Sequence, residues 1–196
     1  MVDLSLSRTG PLGPAGLLFE AEGVRVLVSP PVARVLLRCP ADVIARAGAA
    51  LGLNLPLAPM RTQTKCAQTL RTQAAGQGVT ALWLGPDETL LVGAAQDLPE
   101  ALHGLAHALV DVSHRDVALD VEGPGAAQLL ASAIMLDLAP GAFPEGACAR
   151  TLFGKAPVLV WRRGVEAFQL QTPRSCGVYV RDLLREAFLV PPAAGA

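Results

Sequence analysis

The chain is short of charge and of aromatic rings. Asp, Glu, Lys and Arg make up only 17% of its 196 residues, and Phe, Trp and Tyr only 4%, where an ordinary soluble domain carries about 25% charge. Its 16 basic and 17 acidic residues nearly cancel and are spread over both halves without a basic run. Nucleic-acid binding is excluded on that ground, because it needs a concentrated positive footprint and rings for stacking. Long apolar runs are missing too. Near the middle the longest, Leu129 to Leu136, is interrupted by Ser132 and falls far short of the ~18 residues that span a bilayer. Acidic Asp3 stands near the start with no apolar block behind it, which argues against a secretory signal and makes the cytoplasm the expected compartment.

Close cysteine pairs are also lacking. Cys39, Cys66, Cys148 and Cys176 are scattered with no Cys-x-x-Cys, so neither structural zinc nor a disulfide framework is indicated. Buried free thiols are expected. What the chain has in excess is apolar residues, 52% with a mean hydropathy of +0.41. Much of this is alanine. The composition fits equally an Ala/Gly/Pro/Arg-rich proteome or a subunit that hides apolar surface in partners, since isolated chains rarely expose large apolar patches.

Turn chemistry divides the chain. Residues 1–15, with Thr9-Gly10-Pro11-Leu12-Gly13-Pro14, form an expected arm, and 191–196 a tail. Between them lies one α+β domain, 16–190, of two similar units, roughly 16–110 and 111–190. The first is expected as strand Ala33–Arg38, helix Pro40–Leu51 with Pro40 at the first helical position, a long loop Leu53–Gly78, hairpin strands Thr80–Leu84 and Thr89–Val92, and helix Leu98–Val110. That last helix rests on Leu98, Leu102, Leu105 and Leu109 at spacings of four, three and four. An earlier strand, Gly23–Val28, extends the sheet. The second unit is strand Val117–Val121, a Gly123-Pro124-Gly125 turn, helix Ala126–Ile134, strands Ala149–Phe153, Val158–Trp161 and Ala167–Gln171, and a helix striped by Val180, Leu183, Leu184, Ala187 and Phe188 behind a Ser175 cap. Strand-helix-strand-strand-helix runs point to antiparallel sheets with packed helices, in two ferredoxin-like units.

Catalytic constellations are hard to find. His103 and His107 sit four apart, the spacing for a shared metal on a helix, but no glutamate follows His103 as in zinc proteases; a site would have to borrow a cysteine. Asp111, Ser113 and His114 hold triad residue types. Adjacent residues on an extended chain point to opposite faces, however, and no Gly-x-Ser-x-Gly elbow exposes the serine. Gly123-Pro124-Gly125 lacks the third glycine of a dinucleotide loop, and Gly154-Lys155 lacks the rest of a phosphate loop. Asp120 and Glu122 flank a strand end as expected solvated residues. Arg162-Arg163-Gly164 has the character of a hairpin tip, wet or facing an acidic partner.

Three blocks in fixed order carry more. They are Asp111-Val112-Ser113-His114, then Gly123-Pro124-Gly125-Ala126 with Leu129-Leu130, then Asp137-Leu138. They resemble the signature of the glycine-cleavage T-protein (aminomethyltransferase) superfamily, which includes folate-binding domains. Leu82-Trp83-Leu84-Gly85-Pro86-Asp87-Glu88, Phe143-Pro144 through Cys148-Ala149-Arg150-Thr151-Leu152, and Arg174-Ser175 before a last helix are similar to sarcosine oxidase gamma subunits. The likeness runs from about Ala81 to Ala187. It implies a T-protein-like half domain in which Asp111, Ser113, His114, Gly123, Pro124, Asp137, Arg150 and Ser175 are structural motif positions. It also implies a heterotetramer with alpha, beta and delta subunits, in which FAD, FMN, NAD, tetrahydrofolate and zinc belong to the partners and none to this chain.

The departures matter as much. Folate-dependent relatives follow the Asp-Leu block with a turn carrying a catalytic aspartate, where this chain has Phe153-Gly154-Lys155-Ala156-Pro157-Val158. Their later Gly-Tyr-Thr-Gly-Glu-like motif, with its folate-binding glutamate, has no counterpart here. The resemblance therefore implies a non-catalytic supporting subunit of a sarcosine-demethylating oxidase. A free-standing folate-binding aminomethyltransferase-like protein is the alternative.

Overall fold

Alternating apolar residues give each strand two usable faces, and the chain uses both by stacking two antiparallel sheets with helices outside each. The structure is a computed structural model that describes residues 10–53, 55, 67–70, 79–93 and 98–189. Most of the expected arm and long loop, the whole tail, and Cys66 lie outside the described residues.

In chain order the elements are β1 (Gly16–Ala21), β2 (Val24–Val28), β3 (Arg34–Arg38), α1 (Ala41–Leu51), β4 (Ala67–Leu70), β5 (Val79–Gly85) and β6 (Glu88–Val92). They continue with α2 (Leu98–Ala101), β7 (Ala108–Asp111), β8 (Asp116–Glu122), α3 (Ala126–Ala131), β9 (Cys148–Phe153), β10 (Ala156–Gly164), β11 (Ala167–Pro173) and α4 (Gly177–Leu189). Among the described residues one sheet has the order β4-β5-β6-β3-β7 and the other β1-β2-β8-β11-β10-β9.

The first sheet has the ferredoxin-like order, with β4 added at its edge from within the expected loop. The second departs from that order. Its β9, β10 and β11 form a meander, so β11 inserts between β10 and β8. The N-terminal hairpin also belongs here: β2 pairs with β8, Val26 opposite Val121, rather than extending the first sheet.

Pro40 is the N-cap of α1 at φ −56° and ψ 150°, one residue outside the helix. Gly52 closes α1 in the left-handed conformation at φ 63°. Helix α2 is a single turn. Gly104, at φ 79°, reverses the chain, and Ala108–Asp111 becomes an edge strand beside β3. The expected helix over Leu98–Val110 is thus replaced. Leu98 and Leu102 still reach the core, while Leu105 and Leu109 pack against its margin from outside any helix.

Helices α3 and α4 cover one face of the second sheet. Leu119, Val121, Phe153, Val160, Phe168 and Leu170 pack there with Leu130, Val180 and Leu184. Each such side chain is worth about 1.5–3 kcal/mol of burial. Between the sheets, Leu82, Leu90 and Val92 meet Cys148 and Leu159. That interior is not wholly apolar. The Gln169 amide donates to Asp120 at 2.8 Å, and Gln171 donates to Gln169 at 3.0 Å. Arg34 is 2% exposed. Burial lowers its pKa, opposed by the charges of Asp116 and Asp120.

A candidate assembly face and the joints beneath it

Two short polar residues join the sheets' connecting strand. The Asp111 carboxylate accepts the backbone N–H of Ser113 at 2.8 Å, and the Ser113 hydroxyl accepts the N–H of Arg34 at 2.9 Å. Hydrogen bonds from Ser113 hold the Asp111 carboxyl below its usual range, helped by the charge of His114. The triad residue types are therefore spent on backbone: Ser113 is bound to β3, and His114 is exposed.

At the next joint, Gly123 sits at φ 117°. A Cβ there would lie 1.9 Å from the carbonyl oxygen of Gly23, so at this point the β1–β2 hairpin and the β8–α3 turn approach backbone to backbone. Pro124 lies beside Gly23, and a Cβ on Gly125 would meet Val24 at 2.7 Å. The Gly-Pro-Gly motif is a close-packing device rather than a phosphate loop.

Asp137 accepts the N–H of Ala139 at 2.9 Å, shaping the turn that leads to Phe143. The loop that follows is anchored by Arg162. Far from a wet tip, Arg162 is 4% exposed. Its Nη1 donates to the carbonyls of Leu138 and Phe143 at 3.0 and 2.9 Å, and Nε to Gly164 at 3.2 Å. The guanidinium also lies 4.9 Å from the centre of the Phe168 ring. The sequence did hold a signal: Val158, Val160 and Arg162 alternate on the core face of β10. Arg163 points the other way, to Asp120 at 3.0 Å. Ser175 does not cap α4. It lies exposed in a 3-10 turn, Arg174–Cys176, that begins after Pro173.

Arg150 clasps one sheet to the other. Its two terminal nitrogens donate to both oxygens of Glu88, at 3.0 and 2.7 Å. These bonds hold the Glu88 carboxyl below the usual glutamate range, despite partial burial. Since the folded-state pKa is depressed, the unfolded chain takes up the proton first. The clasp thus contributes fully above the ordinary glutamate pKa and is lost as pH falls through the lowered one. Glu88→Gln is expected to cost about 1 kcal/mol at neutral pH and to flatten the acid limb of a stability-against-pH curve. An unchanged acid limb in denaturant titrations would count against the clasp.

Other candidates are not brought together. His103 is exposed and His107 half-buried, with His107 Nδ1 2.9 Å from the Leu105 carbonyl; the short α2 no longer places them on one helix face. Among the described residues no three His, Cys, Asp or Glu are grouped to hold a metal ion. Cys39 and Cys148 are buried thiols and Cys176 is half-buried. The β9–β10 turn, one of the departures from the family signature, is Gly154-Lys155, and the Lys155 N–H donates to the Tyr179 hydroxyl at 3.2 Å. No acidic side chain stands at that turn.

Two cavities flank α3. One, of about 470 Å³, lies over Gly123-Pro124 and the Asp137 turn. The other, of about 690 Å³, is a groove between α3, α4 and the β1–β2 turn, floored by Leu129, Leu183 and Phe188 with Glu22 and Glu186 among its lining. No helix among the described residues is long and apolar enough to cross a membrane.

Stacked antiparallel sheets with outer helices and a Gly-Pro joint define an aminomethyltransferase-like fold. The glycine cleavage system aminomethyltransferase T from Bartonella henselae matches 83% of this chain and 45% of its own, with a TM-score of 0.59 at 18% identity. A chain of the heterotetrameric sarcosine oxidase from Corynebacterium sp. U-96, solved with pyrrole 2-carboxylate, matches more fully: TM-score 0.75, 26% identity and 91% of both chains. The family profile "Sarcosine oxidase, gamma subunit family" covers residues 39–189. The chain belongs to the sarcosine oxidase gamma subunit family. Sarcosine oxidase subunit gamma of an Arthrobacter species is 34% identical over 125 residues, and that of Corynebacterium sp. strain U-96 is 37% identical over 100. These alignments span 61% and 47% of this chain, and 57% and 48% of those relatives.

Proposed function

We propose that this chain is a non-catalytic gamma-type subunit of a cytoplasmic, heterotetrameric sarcosine oxidase, held with alpha, beta and delta partners. The assembled enzyme demethylates sarcosine oxidatively to glycine, with hydrogen peroxide and either formaldehyde or 5,10-methylenetetrahydrofolate as the other products. FAD, FMN, NAD, tetrahydrofolate and zinc reside in the partners. The observation that carries the reading is the likeness, over 91% of both chains, to a chain of the solved heterotetramer. The cation at the β9–β10 turn supports a structural role. So does the use of Asp111, Ser113, Gly123, Pro124, Asp137 and Arg150 as joints between strands.

Co-expression with the flavoprotein subunits of a heterotetrameric sarcosine oxidase tests this. The chain is expected to co-purify with them in equal stoichiometry, and alone to be colourless and to give no heat with tetrahydrofolate. A chain that stays monomeric beside those partners, or that binds tetrahydrofolate alone at micromolar concentration, would overturn the proposal.

A further inference from the structure

The groove between α3 and α4 is apolar at its floor and acidic at its rim. Leu129, Leu183 and Phe188 form the floor, and among the described residues that line it there is no lysine or arginine. Glu22 and Glu186 both line it, both are exposed, and among the described residues neither has an ion-pair or hydrogen-bond partner. The nearby cation, Arg185, is turned instead toward the Phe19 ring, 6.0 Å away.

Glu22 is also costly where it stands. Among the described residues it is the one non-glycine residue at positive φ, 49°. It occupies the first place of the two-residue Glu22-Gly23 hairpin loop, which asparagine, aspartate or glycine fills with less strain. A long acidic side chain held there projects a carboxylate at the groove's mouth. One lining residue, Ala133, accepts the N–H of Gly154 at 2.9 Å through its carbonyl. Half-exposed Tyr179 adjoins the Gly154-Lys155 turn.

From this geometry we infer that the groove is the docking site for a segment of a partner subunit that seats an apolar side chain on Leu129, Leu183 and Phe188 and sets an arginine or lysine between Glu22 and Glu186. Apolar floor supplies affinity once water is displaced, and the two unpaired carboxylates supply selection and faster encounter. A second copy of this chain fits less well, because its matching face carries the same negative charge. The inference rests on the heterotetramer reading.

The test uses the reconstituted complex of this chain with its flavin-bearing partners. Glu22→Lys with Glu186→Lys is expected to weaken association about tenfold or more, most strongly at low salt, while Asp42→Lys on distant α1 leaves it unchanged. Both changes lie on exposed, unpaired residues; Glu22→Gln with Glu186→Gln, expected to weaken association less, guards against misfolding from the reversed charges. A photo-crosslinking residue replacing exposed Gln128 is expected to capture a partner-subunit peptide containing lysine or arginine. Undiminished association of both double variants, or a crosslink only to a second copy of this chain, overturns the groove assignment and leaves the heterotetramer standing. Failure of the unaltered chain to assemble overturns both.

Discussion

Alanine at Gly123 is expected to lower the melting temperature by roughly 4–24 °C. Two costs add. A side chain at φ 117° is strained by on the order of 1–3 kcal/mol. The new Cβ would also stand 1.9 Å from the Gly23 carbonyl oxygen, and separating two backbone segments costs about another 1–3 kcal/mol or more. A total of about 2–6 kcal/mol, at ~2–4 °C per kcal/mol for a chain of this size, gives the range. Gly104→Ala is the matched control. It has a similar sign of φ, 79°, but nothing within 4 Å of its Cβ, so about 1 kcal/mol is expected. If the two variants melt together, backbone contact is not what holds the Gly-Pro joint.

The second large effect is expected at Arg162. Methionine roughly preserves the volume but removes every donor, stranding the carbonyls of Leu138 and Phe143 in the interior. Each unpaired buried acceptor costs about 1–3 kcal/mol, so Arg162→Met is expected to destabilise by about 3–5 kcal/mol in urea titrations. Amide exchange should rise first in the segment from Asp137 to Ala147, which the guanidinium anchors. Arg162→Lys keeps the charge but offers a point donor in place of a planar fork, and should recover less than half of the loss. A loss under about 1 kcal/mol for methionine would mean that the carbonyls find other partners.

Much of the fold was legible because turns and periodicity agreed. Gly85-Pro86-Asp87 joined β5 to β6, Gly123-Pro124 started α3, and the α4 stripe was placed with Val180 and Leu184 inward. The failures have separate physical causes. Leucines at 98, 102, 105 and 109 satisfy a helical period, but one glycine at 104 outweighs propensity and lets the last two leave the helix. Strand β8 is buried on both faces at Ala118–Val121, so its pattern could not say that the N-terminal hairpin would be its neighbour. Arg162 was hidden by its charged company. The motif residues were located by their resemblance to a family signature, whereas the groove could not be: it is made by α3, α4 and a hairpin turn far apart in sequence.

The seating of β2 against β8 has a consequence during synthesis. The first hairpin leaves the ribosome long before the strand that completes its sheet, and at 5–20 residues per second it waits roughly 5–20 s. For that interval the residues that will pair with β8, Arg25 to Val28, present an unmated edge to solvent, and such edges recruit other chains. Cutting the gene between its two halves would make the wait permanent, so neither half is expected to mature alone.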